Sequence, residues 1–155
     1  MQMTKNWYGF LSSGMNKTDY SLKSITNYTT TVSAGSTNSS HLTLSQFLTN
    51  GTATKFFIGL GSGVTEPTES DFRLSSAITG LTLVGSTKFN RNDTSILTVV
   101  SVYKNNTGHD VTVNEIGLMY SDTTDETTYL LGREVLDSSV TIKAGETYTF
   151  TVIVK

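Results

Sequence analysis

A chain of 155 residues suffices for one domain with one hydrophobic core and is too short for a second of ordinary size. Its 11 Lys and Arg against 13 Asp and Glu leave a net charge of −2, with no basic surplus to hold nucleic acid or an anionic membrane. The lack of cysteine excludes disulfide frameworks, thiol nucleophiles and thiolate metal sites, and no apolar run reaches signal-peptide or membrane-spanning length, so a chain made in soluble form is expected.

Charged residues are only 15% of the chain and proline occurs once. Thr alone makes up roughly a fifth of the residues, and its branched β-carbon suits pleated sheet. A surface this poor in charge offers little repulsion between copies, which favours lateral association.

In chain order, residues 4–15 are the one stretch where helical spacing beats alternation. Trp7, Leu11 and Met15 recur four apart with Phe10 beside them, Thr4 stands as a cap, and Gly14, Asn16 and Asp19 end the run. A helix this short is marginal alone, so its aromatic face must dock. Trp7, Tyr8, Phe10 and Leu11 are the candidate docking residues, with their own domain or a partner subunit as the surface. Residues 1–19 are thus read as a docking helix or arm and 20–155 as the main domain.

Tyr20 to Val32 reads as a strand, Ser33 to Ser40 as a small-residue loop, and His41 to Gly51 as one turn of helix around Leu44, Phe47 and Leu48. Lys55 to Gly63 begins as a buried strand and ends in glycines, read as the place where the chain turns sharply out of the sheet. Pro67 makes the segment after it a surface loop. Strands follow at Leu81 to Phe89, Ser95 to Tyr103, Val111 to Tyr120, Thr128 to Leu136 and in Val140 to Val154, separated by the turn clusters NRND, KNNTGHD, SDTTDET, DSS and KAGE. In the last strand Tyr148, Phe150, Val152 and Val154 alternate with Thr147, Thr149 and Thr151, giving a core face and a Thr ladder that Ile153 interrupts. The predicted fold is an all-β antiparallel sandwich, jelly-roll or Ig-like, with a short N-terminal helix or arm.

No catalytic or metal-binding set emerges, and no cofactor is expected. His41 and His109 are too few for a zinc site and lie far from any nucleophile-elbow serine. Gly59, Gly61 and Gly63 lack both the third spacing and the βαβ context of a dinucleotide fingerprint. Asp122, Asp125 and Glu126 share a turn but not the spacing of a calcium loop. One pair of charges stands out: Glu115 interrupts one strand and Arg133 interrupts the strand expected beside it, so a direct, partly buried Glu115–Arg133 ion pair is predicted.

Three stretches in fixed order carry a resemblance: GLGSGVTEPTESDFRLSSAI from Gly59, VYKNNTGHDVTVNEIGLMY from Val102, and LLGREVLDSSVTIKAGETYTFTVIV from Leu130. They resemble a recurrent family of tailed-phage virion proteins with the pattern G-x-G-T-x-x-P-T-x-x-D, N-N-T-G, N-E-I-G-L, L-x-x-R-x-V-L and A-G-E-T. The likeness spans roughly two thirds of the chain, Phe57 to Val154, and the opening TKNWYGFL also looks like the start of such proteins. This chain departs from the pattern at Ser62 and Gly63, where the family usually has Thr after the second glycine.

The resemblance implies a β-sandwich subunit carried on the virion, as a capsid decoration, head fibre or tail-associated component, with no catalytic residues. Its expected partners are other virion proteins of the capsid, portal or tail and further copies of itself, a trimer being favoured; nucleic acid and membrane are not expected partners. Its expected place is the virion, after synthesis in the bacterial cytoplasm. The alternative is a module reading a host glycan through the Asn105 to Asp110 and Ser121 to Thr127 loops, the second flanked by Tyr120 and Tyr129.

Overall fold

The computed structural model describes residues 1–16, 20–32, 55–92, 95–122 and 127–154. Strand β1 (Gln2–Met3) leads into helix α1 (Lys5–Asn16), followed by β2 (Tyr20–Lys23), β3 (Thr29–Val32), β4 (Phe56–Gly61), β5 (Leu81–Asn92), β6 (Ser95–Asn105), β7 (Val111–Asp122), β8 (Thr127–Ile142) and β9 (Thr147–Val154). All strand pairs are antiparallel, in a four-stranded sheet ordered β1-β8-β7-β4, a three-stranded sheet ordered β5-β6-β9 and a β2-β3 ribbon. The all-β expectation with a short N-terminal helix is met.

The main core lies between the two larger sheets. Ile58, Leu118 and Tyr120 from one and Leu97, Val99 and Phe150 from the other are buried in a single apolar cluster, the result of period-two alternation in each strand. A second, smaller cluster of Leu74, Met119 and Leu130, flanked by Ile25 and Phe57, covers the opposite face of the four-stranded sheet. That sheet is therefore buried on both sides, with the segment from Ser62 to Gly80 on its outer face, while Leu22 of the ribbon joins the main core.

Several details depart from the sequence expectation. The strand read from Tyr20 to Val32 is a hairpin. Its chain reverses at Asn27, which takes a left-handed φ of 70°, while the Ser24 hydroxyl accepts the Tyr28 N–H at 3.1 Å. The turn read at Asp137 to Ser139 is instead a bulge in the 16-residue β8: Glu115 pairs with Val135 and Val113 with Val140, so Asn114 alone opposes four residues. The exposed Ser139 hydroxyl donates to Asn114 there, and the reversal waits for Lys143 to Glu146, where Gly145 has φ 82°. The Thr4 hydroxyl does not cap the helix; it is fully buried and donates to the Leu130 carbonyl at 2.7 Å. The helical turn expected at His41 to Gly51 lies outside the described residues.

The outer edge of β4 is closed by side chains. Ser86 Oγ donates to the Phe56 carbonyl at 2.6 Å, the Ile58 N–H donates to Ser101 Oγ at 2.9 Å, and the Tyr103 hydroxyl donates to the Ile58 carbonyl at 2.7 Å. Burial pushes the Tyr103 phenol up to about 12, so it stays a donor throughout the neutral range. Tyr103→Phe keeps the ring and strips that donor from a buried carbonyl, so thermal or urea unfolding is expected to show a loss of about 1–3 kcal/mol. An unchanged unfolding midpoint would show that the edge does not depend on it.

Candidate functional site

Glu115 and Arg133 point to the outer face of the four-stranded sheet, under the Ser62 to Gly80 segment, and are 0% and 2% exposed. The Arg133 guanidinium uses three of its nitrogens: Nε donates to Glu115 Oε2 at 2.6 Å, Nη1 to Asp71 Oδ2 at 2.8 Å and Nη2 to the Thr65 carbonyl at 2.7 Å. Glu115 in turn accepts the backbone N–H groups of Gly63 at 3.2 Å, Ser75 at 3.2 Å and Ser76 at 2.7 Å. Asp71 accepts the Thr68 N–H and hydroxyl, each at 3.0 Å, which folds the Thr68 to Asp71 turn onto itself. One buried cation and two carboxylates thus pin three successive parts of the covering segment to β7 and β8.

The glycines preceding this segment are there for clearance rather than for a turn. None of Gly59, Gly61 and Gly63 has a positive φ. A Cβ on Gly61 or Gly63 would occupy the place of the Glu115 carboxylate, and one on Gly117 would come 2.6 Å from Leu130 Cδ1. This corrects the sharp-turn reading: the strands need bare backbone so that Glu115 and Leu74 can lie flat against the sheet.

A second polar centre ties together the two connections that cross between the sheets. Asn105, 0% exposed, donates through Nδ2 to the carbonyls of His109 and Ile142, both at 2.8 Å, and accepts at Oδ1 from the Thr107 N–H and hydroxyl. Its backbone N–H donates to the Glu146 carbonyl and its carbonyl accepts the Gly145 N–H. All hydrogen-bonding atoms of a buried amide are thereby engaged.

Of the residues expected to dock on a partner, Trp7 is 5% exposed within the main core and Leu11 packs against that core. For these two the docking surface is their own domain, one of the two surfaces read from the sequence. Asn6 completes the attachment by donating to the carbonyls of Lys23 and Leu130 and accepting the Lys23 N–H, and β1 forms the edge of the four-stranded sheet, so residues 1–16 belong to the sandwich. Tyr8 faces outward at 50% exposure. The Phe10 side chain is outside the described set.

The sequence reading found the Glu115–Arg133 contact from two charges interrupting adjacent apolar strands, and it missed Asp71 as the third member. The signal for Asp71 was its place in a Thr-x-x-Asp turn within reach of a buried cation. Tyr120 and Tyr129, which flank the proposed glycan-reading loop, are 1% and 4% exposed and present no stacking surface. An open groove of about 430 Å³ runs beside the network, with Glu66, Pro67, Arg133, Glu134 and Asp137 in its lining. Among the described residues no group of three or more His, Cys, Asp or Glu is placed to hold a metal ion, and no helix is long and apolar enough to cross a membrane.

No protein-family model matches the chain, and no curated protein or solved structure matches it.

Burial by itself would raise the Glu115 and Asp71 pKa values, but the N–H groups of Ser76 and Ser75 on the first, Thr68 on the second, and Arg133 on both overcome it and hold the two carboxyls below their ordinary 4.5 and 3.8. Burial opposes the Arg133 charge too, and its two carboxylates more than offset that. Groups with depressed folded-state pKa values stabilise the protein above the ordinary carboxylate range, and that contribution is lost as pH falls through the folded values. The melting temperature is therefore expected to hold from neutral pH down to the ordinary carboxylate range and to fall below it, with a shallower acid loss in Glu115→Gln. Arg133→Ala leaves two carboxylates facing each other without a cation and is expected to destabilise by about 3–5 kcal/mol in chemical denaturation. A wild-type-like unfolding curve for Arg133→Ala would refute the anchoring role.

Proposed function

We propose that this chain is a non-enzymatic structural subunit of a tailed-phage particle, a capsid decoration, head-fibre or tail-associated protein that assembles by symmetric packing with other virion proteins. One observation carries the reading. The motifs behind the resemblance, far apart in sequence, meet in space: the T-x-x-D, N-E-I-G-L and L-x-x-R-x-V-L segments contribute Asp71, Glu115 and Arg133 to one network, and the N-N-T-G and A-G-E-T turns join through Asn105. A pattern whose members hold one another in place describes a scaffold.

The chemistry of the network agrees with holding rather than reacting. Each charged side chain in it is satisfied by fixed protein partners, whereas an acid, base or nucleophile must face a substrate. The burial of Tyr120 and Tyr129 removes the feature that favoured glycan reading by that loop.

Phage particles from cells that produce this chain, banded by density and analysed by quantitative mass spectrometry, are expected to contain it in a fixed ratio to the major capsid or tail protein. Its absence from banded particles while it is abundant in the lysate would overturn the reading.

A further inference from the structure

The two larger sheets have four edges, and an unpaired edge strand is a template for another chain unless something blocks it. Three of the four are managed. On the β1 side, β1 covers only Gly132 and Arg133; the chain that follows it is held by the hydrogen bond from the Lys5 N–H to the Glu69 carbonyl, and β8 beyond it carries Glu134 and Asp137 and is broken by the bulge opposite Asn114. The β4 edge is closed by Ser86, Ser101 and Tyr103 and by the Ile78 N–H, which donates to the Leu60 carbonyl. The β5 edge is kinked by a bulge between Leu83 and Gly85, and its sequence carries Lys88 and Arg91.

The β9 edge has none of these devices. Thr147–Val154 pairs with β6 along one side in unbroken register, contains no charge, proline or glycine, and has no hydrogen-bonded neighbour along its other side among the described residues. Its exposed apolar groups are Ile153 at 54% and Tyr148 at 40%.

We propose that β9 pairs antiparallel with β9 of a second copy of this chain about a two-fold axis, joining two three-stranded sheets into one of six strands. The occupant is a second copy because a two-fold axis sets a strand against itself, which β9 tolerates at every position. With Thr151 on the axis, Ile153 faces Thr149 of the partner subunit and Val152 faces Phe150 of the partner subunit. With Phe150 on the axis, Thr151 faces Thr149 of the partner subunit. Either register continues the Thr ladder on the outer face and the aromatic and aliphatic row on the inner face. A charge near the axis would meet its own copy, and β9 carries none. The contact is small for a protein interface, so the dimer is a weak one that symmetric packing at high local concentration would populate. This pairing follows from the edge itself and stands whether or not the chain belongs to a virion.

Sedimentation velocity of the full chain is expected to give a dimer at about 100 µM that dissociates on dilution toward about 1 µM. Thr151→Lys and Thr151→Glu, both on an exposed ladder position, are each expected to weaken it at least about tenfold at unchanged melting temperature, and mixing the two variants to restore a dimer. Because the chain lacks cysteine, Thr151→Cys, alone and mixed with Thr149→Cys, should form dimers with a short bismaleimide, while Thr141→Cys on exposed β8 should not. This cross-linking keeps the test open if a charged variant fails to fold. A wild-type chain monomeric at about 100 µM, a dimer indifferent to both charges, or cross-linking equal at positions 151 and 141 would each overturn the pairing.

Discussion

The fold depends on one buried cation. Arg133 projects from β8 onto the face of the four-stranded sheet that does not meet the other sheet, and its guanidinium fork reaches β7 through Glu115 and the covering segment through Asp71 and Thr65. The segment from Ser62 to Gly80 has little apolar surface of its own beyond Phe72, Leu74 and Ile78, so hydrophobic burial alone would leave it loosely held. A planar cation with fixed donors sets the position of that segment in a way apolar packing cannot, because each donor demands a particular acceptor in a particular direction. In energy the network gains less than its short distances suggest, since taking three charges out of water offsets most of their attraction. Its value is geometric: it selects one path for the connection between the two sheets.

Around this centre the neighbouring residues become intelligible. Gly61 and Gly63 clear the space for the Glu115 carboxylate, Gly117 clears it for Leu74 and Leu130, and Asn114 holds the Ser62 carbonyl at one end while accepting Ser139 at the other. In N-E-I-G-L, then, Ile116 and Leu118 face the main core and the three residues among them face the covering segment. The Asn105 centre does the same for the crossings at the far end of the sandwich. Among the described residues, the connections from β4 to β5, from β6 to β7 and from β8 to β9 are thus each fixed by a buried polar group that is fully paired, the condition under which such groups specify structure instead of destabilising it.

What was legible in the sequence followed from period and punctuation. Alternation in β6, β7 and β9, the four-residue spacing of Trp7 and Leu11, and two charges inside apolar strands all express local rules that survive into the structure. The errors came from properties that are not local. Asp137-Ser138-Ser139 has turn composition, but the partner strand at Val111 to Val113 keeps β8 extended, so the extra residues bulge instead of reversing. The glycines of β4 look conformational until Glu115 is placed opposite them. The surface on which Trp7 docks stayed open between its own domain and a partner, because the cluster that buries it draws Leu22, Tyr129 and Leu131 from other parts of the chain. Asp71 was overlooked for the same reason, its partner being far along the sequence.

The handling of the edges bears on how such a subunit would be used. A sandwich that closes one edge with three side-chain hydrogen bonds, bulges another and breaks a third with a bulge and two carboxylates is under pressure against uncontrolled pairing. Thr-rich strands of low charge make that pressure acute, because nothing else in the composition keeps copies apart. Leaving β9 without a hydrogen-bonded neighbour among the described residues is consistent with such a surface only if pairing there is finite. A two-fold contact meets that condition: once two β9 strands have joined, the joint is symmetric and the outer strands of the six-stranded sheet are the protected β5 edges, so addition stops at two. The same mixture of guarded and open edges allows one defined contact while keeping a sticky composition from forming fibres.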